Sequence, residues 1–254
     1  MMAKLIAIEA RRLVTRGRFS LMVAVAAAFG VFNLLDSHSE PLRFAGSFSA
    51  AGGLAFQNVA PLIAGVVSAG ALAEDRNRGF PHLLMSRGLS RNRYLAAKAA
   101  AMAVAAGAAT LAACVLIIVA AAVLVPGGET GADSLTGPIP ALLASEPLLS
   151  DLVAIGFLVM ATAALATSGV AVGTLVPNEY IAAAVPFIVT IAASFLLSGA
   201  FTLVSPFTYL ELNREYVAVL PASLLTVASP IYWACFALTC LGTGVAAATR
   251  REFS

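Results

Sequence analysis

Long runs of residues without a charged side chain constrain this chain more than any other feature. The run from Ala99 to Val125 holds no Asp, Glu, Lys, Arg or His, and a helical span of a bilayer needs about 20 such residues. In lipid, only helices and closed barrels satisfy their backbone hydrogen bonds, and barrel strands would alternate apolar and polar residues. The unbroken runs therefore predict transmembrane helices.

The polar residues are too few to cover a water-soluble globule. Hydrophobic residues make up 60% of the 254 residues and charged residues only 11%, whereas about 25% of an ordinary soluble domain is charged. We therefore predict an all-α integral membrane protein with a single domain over residues 1–254. The three cysteines lie within apolar runs and the two histidines lie far apart, so we expect neither a disulfide framework nor a metal site.

Six runs are long enough to cross a bilayer. They are Phe19–Leu35, Leu54–Ala73, Ala99–Val125, Leu152–Val176, Ile181–Leu203 and Ala222–Ala248. Pro61 and Pro186 should kink or locally open the second and fifth spans, either as hinges or as static bends. In the fourth span, Gly169 and Gly173 predict the close approach of another helix, although Ala- and Gly-rich helices also produce such pairs by chance.

Basic residues are concentrated in segments that would lie on one side of the membrane. Four segments hold 13 of the 15 Lys and Arg residues; they are 1–18, 74–98, 177–180 and 249–254. Because cytoplasmic segments carry an excess of Lys and Arg, both termini are predicted to be cytoplasmic. The high Ala and Gly content hints at a bacterial source, and we expect a multi-pass protein of the plasma (inner) membrane.

The remaining polar segments are the outer loops and the N-terminal helix. Residues 126–150 and 204–221 are predicted outer loops, and the second favours either a short helix in the outer membrane surface or an ordinary capping loop. Residues 1–18 have the pattern of a basic amphipathic helix that lies on membrane lipids in the headgroup plane, although its cations also serve as an orientation signal. Those cations are Lys4, Arg11, Arg12, Arg16 and Arg18.

The absence of Asp, Glu, Lys, Arg and His from the six runs restricts the function. Proton-coupled transporters need such groups within the membrane, and intramembrane hydrolysis needs a paired nucleophile and base. Sodium coupling through backbone carbonyls stays open. The sequence holds no G-x-x-x-x-G-K-[ST] phosphate loop, so we expect no ATP binding by this chain and no enzyme activity of its own. We also expect no nucleic-acid partner.

The stretch 74–98, EDRNRGFPHLLMSRGLSRNRYLAAK, combines six cations with a small apolar group. That group consists of Phe80, Leu83, Leu84 and Met85. Pro81 suits the first turn of a helix, Gly79 and Gly88 suit its two ends, and Ser90 is a candidate N-cap for the next helix. A short helix of about two turns is therefore predicted. A loop that only sets orientation would explain the cations, but an apolar group invites a protein partner or the bilayer surface.

This stretch resembles a motif of type-2 ATP-binding-cassette (ABC) export permeases. The motif has an acidic residue ending the second span, then G-[TS]-x-x-x-L-L-x-x-P-x-S-R, then an aromatic residue and a Lys entering the third span. The corresponding residues here are Glu74, Gly79, Leu83, Leu84, Ser90, Arg91, Tyr94 and Lys98, with the Leu-Leu pair one position earlier than in the motif. The chain departs from the motif at Phe80, where Thr or Ser is usual, and at Gly88, where Pro is usual. The layout of six spans behind a basic N-terminal helix is also similar.

The resemblance implies the membrane-spanning permease subunit of an ATP-driven exporter. The short helix would be a coupling helix that docks into a groove on a separate cytoplasmic ATPase. Its interface would comprise Glu74, Gly79, Phe80, Leu83, Leu84, Met85, Arg87, Ser90 and Arg91. Two permease chains, identical or different, and two ATPase chains would form the working unit, with ATP and Mg²⁺ used by the ATPase.

The uncharged runs suit a lipophilic or amphiphilic cargo for such an exporter. Two other classes of function stay open on the residues alone. One is a membrane scaffold or assembly factor whose basic stretch recruits a different cytoplasmic protein. The other is a sodium-coupled carrier or a passive channel.

Overall fold

The regular structure of the chain is helical wherever the computed structural model describes it, which is over residues 2–36, 53–86, 88–124, 147–197, 205–210 and 222–250. The elements in chain order are α1 (Met2–Val14), α2 (Gly17–Asp36), α3 (Gly53–Ala64), a π-helical turn (Gly65–Ala69), α4 (Gly70–Asn77), α5 (Phe80–Ser86), α6 (Arg91–Leu124), α7 (Pro147–Leu175), α8 (Glu179–Leu196), α9 (Pro206–Leu210) and α10 (Ala222–Arg250).

Three helices in the described ranges are long and apolar enough to cross a membrane. They are Arg91–Leu124, Leu152–Leu175 and Val227–Arg250, which correspond to the third, fourth and sixth predicted spans. The number rises to four if Met2–Val14 and Gly17–Asn33 form one broken span, bent by 63°. The prediction of an all-α chain is therefore confirmed over the described ranges, with three or four helices that are candidates to span a membrane.

Helices α6 and α7 form the centre of the bundle. Helix α6 packs against α1, α2 and α7, while α7 also packs against α3, α4, α8 and α10. Their buried faces consist largely of alanine, with Ala101, Ala105 and Ala109 of α6 fully buried. Small side chains let helix backbones approach closely, which is the main source of packing between helices in lipid.

The predicted helix approach at Gly173 is confirmed. A Cβ atom added there would lie 2.9 Å from Cβ of Leu72 in α4, closer than side chains pack. Gly169 is also buried. The glycine pair therefore sits where α7 receives a neighbouring helix, rather than being a chance product of composition.

The predicted second span is a continuous helical segment whose geometry changes in the middle. Four residues after Pro61, the helix widens into the π-helical turn Gly65–Ala69. Proline lacks the backbone N–H that an α-helix needs, so local opening near it has a physical cause. Pro186, in contrast, lies inside an unbroken α8. The prediction of a local opening is thus met at Pro61 and not at Pro186.

The π-helical turn brings the second span into backbone contact with α8. A Cβ atom at Gly65 would overlap the carbonyl oxygen of Ala183, so only glycine allows this approach. The C-terminal half of α8, by contrast, leaves Phe195 and Leu196 about four-fifths exposed. Helix α8 is therefore held tightly at its N-terminal half.

A short helix in segment 204–221 packs through aromatic rings. Tyr209 of α9 stacks on Tyr232 of α10 with 4.1 Å between ring centroids. Trp233, buried to 1% exposure, meets Tyr232 and Phe236 edge to face. These contacts fix α9 against α10, and residues 211–221 lie outside the described part, as do residues 125–146 of the other predicted outer loop.

Candidate functional site

One end of the bundle gathers charged residues from several helices, and we call it the charged end. Its members include Glu9, Arg12 and Arg16 of α1, Arg18 of α2, Glu74, Asp75 and Arg76 of α4, Arg91, Tyr94 and Lys98 of α6, and Glu179 of α8. Arg76 donates a hydrogen bond to the Thr174 carbonyl at 3.3 Å, and Arg91 donates one to the Ala248 carbonyl. The charged end therefore also includes the C-terminal ends of α7 and α10.

At its centre, a cluster of five polar side chains joins α1, α4 and α6. We call this the charge cluster, and it consists of Glu9, Arg12, Asp75, Tyr94 and Lys98. The Lys98 Nζ donates to Glu9 Oε2 at 2.6 Å and to Asp75 Oδ2 at 2.5 Å. Arg12 Nη1 lies 2.8 Å from Asp75 Oδ1, and the Tyr94 hydroxyl donates to Asp75 Oδ2 at 3.1 Å.

Four of the five side chains of the charge cluster are almost completely removed from solvent, and the Arg12 side chain is 28% exposed. Lys98 is 1% exposed, Asp75 0% and Glu9 2%. Buried ions of these types occur almost only when they are paired, because taking an unpaired charge out of water costs several kcal/mol. Two carboxylates face two cations here, so the cluster is neutral as a whole. Each charge depends on the others for its compensation.

The face of α1 that is buried differs from the sequence prediction, because it includes Glu9. The helical projection puts Glu9 among the cations of the polar arc, yet Glu9 and Leu13 form the buried face of α1. Lys4 and Arg11 are exposed, and Ile8 beside them is 63% exposed. Tertiary pairing with Lys98 outweighs the tendency of a carboxylate to face water. The exposed face of α1 therefore mixes cations with an apolar side chain.

Two further cations of the N-terminal segment, Arg16 and Arg18, also pair with carboxylates within the chain. Arg16 pairs with Glu74 at 2.5 Å, and Arg78 approaches the other oxygen of Glu74 at 2.7 Å. Arg18 lies 3.5 Å from Glu179. Residues predicted to contact the membrane surface thus link α1 and α2 to α4 and α8. Their contact with lipid headgroups stays a prediction.

The short helix predicted between the second and third spans is present as α5 (Phe80–Ser86). Gly79 and Gly88 flank it with φ of +68° and +84°, in the left-handed region that glycine adopts at little cost. The next helix begins at Arg91, and the Ser90 carbonyl accepts the first helical hydrogen bond from the Tyr94 amide at 3.0 Å. The start and stop signals of this stretch are therefore confirmed.

Two apolar side chains of α5 contact the rest of the protein. The Phe80 ring lies beside Arg12, with 5.2 Å between the guanidinium carbon and the ring centroid. Met85 is half-buried against the apolar core. Leu83 and Leu84 belong to α5, but their side chains lie outside the described part, and so does Arg87.

The pairing within the charge cluster is the feature that the sequence did not reveal. One signal was available: a helix that starts at Arg91 places Tyr94 and Lys98 four residues apart, on the same face. Lys98 is then two turns inside an otherwise apolar helix and needs a buried acid. Which acids it meets depends on how α1 and α4 pack, and periodicity gives no information about that packing.

A prediction follows from the two left-handed glycines. Gly79→Ala and Gly88→Ala should each destabilise the turns around α5 by about 1–2 kcal/mol, because a Cβ is disfavoured at positive φ. The space around both positions is open, so the cost is conformational and not steric. Hydrogen exchange of the α5 amides should become faster in both variants.

Gly17→Ala is the matched control for these turns, since Gly17 also has open space but no positive φ. The control should exchange like the parent protein. Equal hydrogen-exchange rates of the α5 amides in all three variants would contradict the prediction that alanine is unfavourable at Gly79 and Gly88.

No protein-family model and no curated protein sequence matches this chain. Within the ranges that the structure describes, no group of three or more His, Cys, Asp or Glu side chains is arranged to hold a metal ion. The charge cluster and α5 are the two distinctive features of the charged end.

Proposed function

We propose that this chain is the membrane-spanning subunit of an ATP-driven exporter of the type-2 ABC class. The observation that carries the proposal is α5, a short helix set apart by two left-handed glycines at the charged end of the bundle. Its sequence context resembles the coupling helix of those permeases. A separate cytoplasmic ATPase, in two copies, would use ATP and Mg²⁺, and a second permease chain would complete the unit.

The position of the charged end supports the predicted topology. The N-terminal helix, the stretch 74–98, the start of α8 and the end of α10 meet there through Arg16–Glu74, Arg18–Glu179 and Arg91–Ala248 contacts. These are the segments that charge bias assigns to the cytoplasm. In the proposal, α2, α8 and the helical segment from 53 to 77 are further spans, which gives six spans with both termini inside the plasma membrane.

The bend between α1 and α2 supports a membrane-surface position for α1. An angle of 63° separates the two helix axes, so α1 would lie close to the membrane plane when α2 crosses it. Lys4 and Arg11, both exposed, would then face lipid headgroups, and Ile8 would reach the acyl boundary.

The mechanism that we propose uses α5 as the point where force enters the membrane subunit. ATP binding would close the ATPase pair, draw the two copies of α5 together, and open the permease pair toward the outside. The spans offer an apolar lining with exposed residues such as Val104 and Leu111 on α6, which suits a lipophilic or amphiphilic cargo.

Co-purification with an ABC ATPase, preferably one encoded beside this chain, tests the proposal. Replacing both Leu83 and Leu84 with Ser should weaken ATPase binding at least about tenfold, because two apolar anchors of a small interface would be lost. Charge reversal at Arg87 and Arg91 should also weaken binding. The measurements are the ATPase retained by the immobilised permease and the ATP turnover that the permease stimulates.

A matched control lies at the opposite end of α6. Val123 and Leu124 are exposed, and replacing both with Ser should leave ATPase binding within twofold of the parent. Equal binding by the test and control variants would contradict the coupling-helix role of α5. Recruitment of a cytoplasmic protein that is not an ATPase would favour the scaffold, and sodium-dependent uptake without an ATPase would favour the carrier.

A further inference from the structure

We infer that Arg12 fastens the short helix α5 to α1, so that a displacement of α5 moves α1 and the charge cluster with it. The structural half of this inference concerns the isolated chain. Its consequence for transport rests on the proposed function.

The Arg12 side chain of α1 contacts two other helices, α4 and α5. Its guanidinium belongs to α1, pairs with Asp75 of α4 at 2.8 Å, and lies 5.2 Å from the ring centroid of Phe80 in α5. A guanidinium suits both contacts, because a planar cation can lie against an aromatic face while its charge stays close to a carboxylate. Lys98 then links the same Asp75 to α6 at 2.5 Å.

Helix α5 needs side-chain contacts to hold its position. Both of its connections pass through glycines with positive φ, and glycine permits large backbone changes at little cost. A helix of 7 residues is also too short to be stable by itself in water. Phe80 at its start lies against Arg12, Pro81 is buried, and Met85 near its end packs on the apolar core. Among these, the Phe80 contact links α5 to α1.

The identity of residue 80 agrees with this role. An aromatic ring offers a face to a guanidinium, which a small side chain would not. The structure places the Phe80 ring beside Arg12.

The distance between α1 and α5 tests the structural half directly. Spin labels would be placed at Ala7 and Ser86, both exposed, after replacing Cys114, Cys235 and Cys240 with Ala. Phe80→Leu should broaden the measured distance distribution about twofold, because the side chain keeps its bulk but loses the cation–π contact. Phe80→Tyr keeps an aromatic face and should preserve the narrow distribution of the parent.

Arg12→Lys separates the two contacts of Arg12, since lysine can pair with Asp75 but lacks the planar group that stacks. It should also broaden the distribution. Phe29→Leu, at an exposed position of α2, is the control for the loss of an aromatic ring elsewhere. A Phe80→Leu distribution as narrow as that of the parent would overturn the inference.

The same variants measure the consequence for transport once an ATPase partner is in hand. Phe80→Leu should lower the cargo moved per ATP hydrolysed about fivefold, as expected for the loss of a contact of cation–π strength. A parent protein that binds no ATPase would refute the proposed function, while the spin-label distances would still decide whether Arg12 holds α5. If the variants kept narrow distance distributions and unchanged transport per ATP while the ATPase still bound, the inference would be refuted and the proposed function would stand.

Discussion

Replacing Lys98 with Met is expected to lower the midpoint of thermal unfolding in detergent by about 10 °C. Methionine has a similar length, but it leaves Glu9 and Asp75 with only Arg12 for compensation, and breaking a buried ion pair costs about 3–5 kcal/mol. In a domain of this size, 1 kcal/mol corresponds to about 2–4 °C. The fluorescence of Trp233, the single tryptophan and 1% exposed, reports unfolding directly.

The chain supplies a matched control for this change. Lys4 is the one other lysine in the sequence and is exposed on α1, so Lys4→Met should shift the midpoint by about 2 °C or less. Adding Glu9→Gln to Lys98→Met removes one of the two carboxylates that have lost Lys98 and should restore part of the fall in the unfolding midpoint. Equal midpoints for the two single variants would show that the charge cluster contributes nothing to stability.

The second large effect is expected at Gly65. A Gly65→Ala variant would force a Cβ atom into the carbonyl oxygen of Ala183, and backbone cannot rotate away as a side chain does. Overpacking costs about 1–3 kcal/mol or more, and we expect the upper end because the added Cβ would meet backbone atoms of Ala183. The π-helical turn and α8 should separate, with a fall of about 6–10 °C in the unfolding midpoint.

Gly156→Ala is the control for the helix approach at Gly65. Gly156 lies on an exposed face of α7 and has open space where a Cβ would be, and alanine favours the helix by about 1 kcal/mol over glycine. This variant should be as stable as the parent or slightly more stable. If the Gly65→Ala and Gly156→Ala proteins had the same unfolding midpoint, the tight contact between the π-helical turn and α8 would be contradicted.

The local features that the sequence predicted correctly all depend on neighbouring residues. Gly79 and Gly88 frame α5, and Ser90 starts α6, because turn and cap preferences act over three or four positions. The apolar runs predict helices at α6, α7 and α10 for the same reason, since the length and hydropathy of one segment decide whether it can cross a bilayer.

The sequence predicted less well wherever two distant segments had to meet. Glu9 was expected among the outward cations and is buried against Lys98. That outcome depends on a partner that lies far away in the sequence. Periodicity describes one helix at a time, so it could not assign that partner.

The sequence by itself determined that this chain is helical, that several of its segments are long and apolar enough to span a membrane, and where its charges concentrate. Those properties follow from local composition, because a lipid core accepts only segments that satisfy their own backbone. The tertiary structure decided that Glu9, Asp75 and Lys98 are one buried cluster and that Arg12 joins it to Phe80. Charges separated by as many as 89 residues compensate one another only after α1, α4 and α6 have packed together.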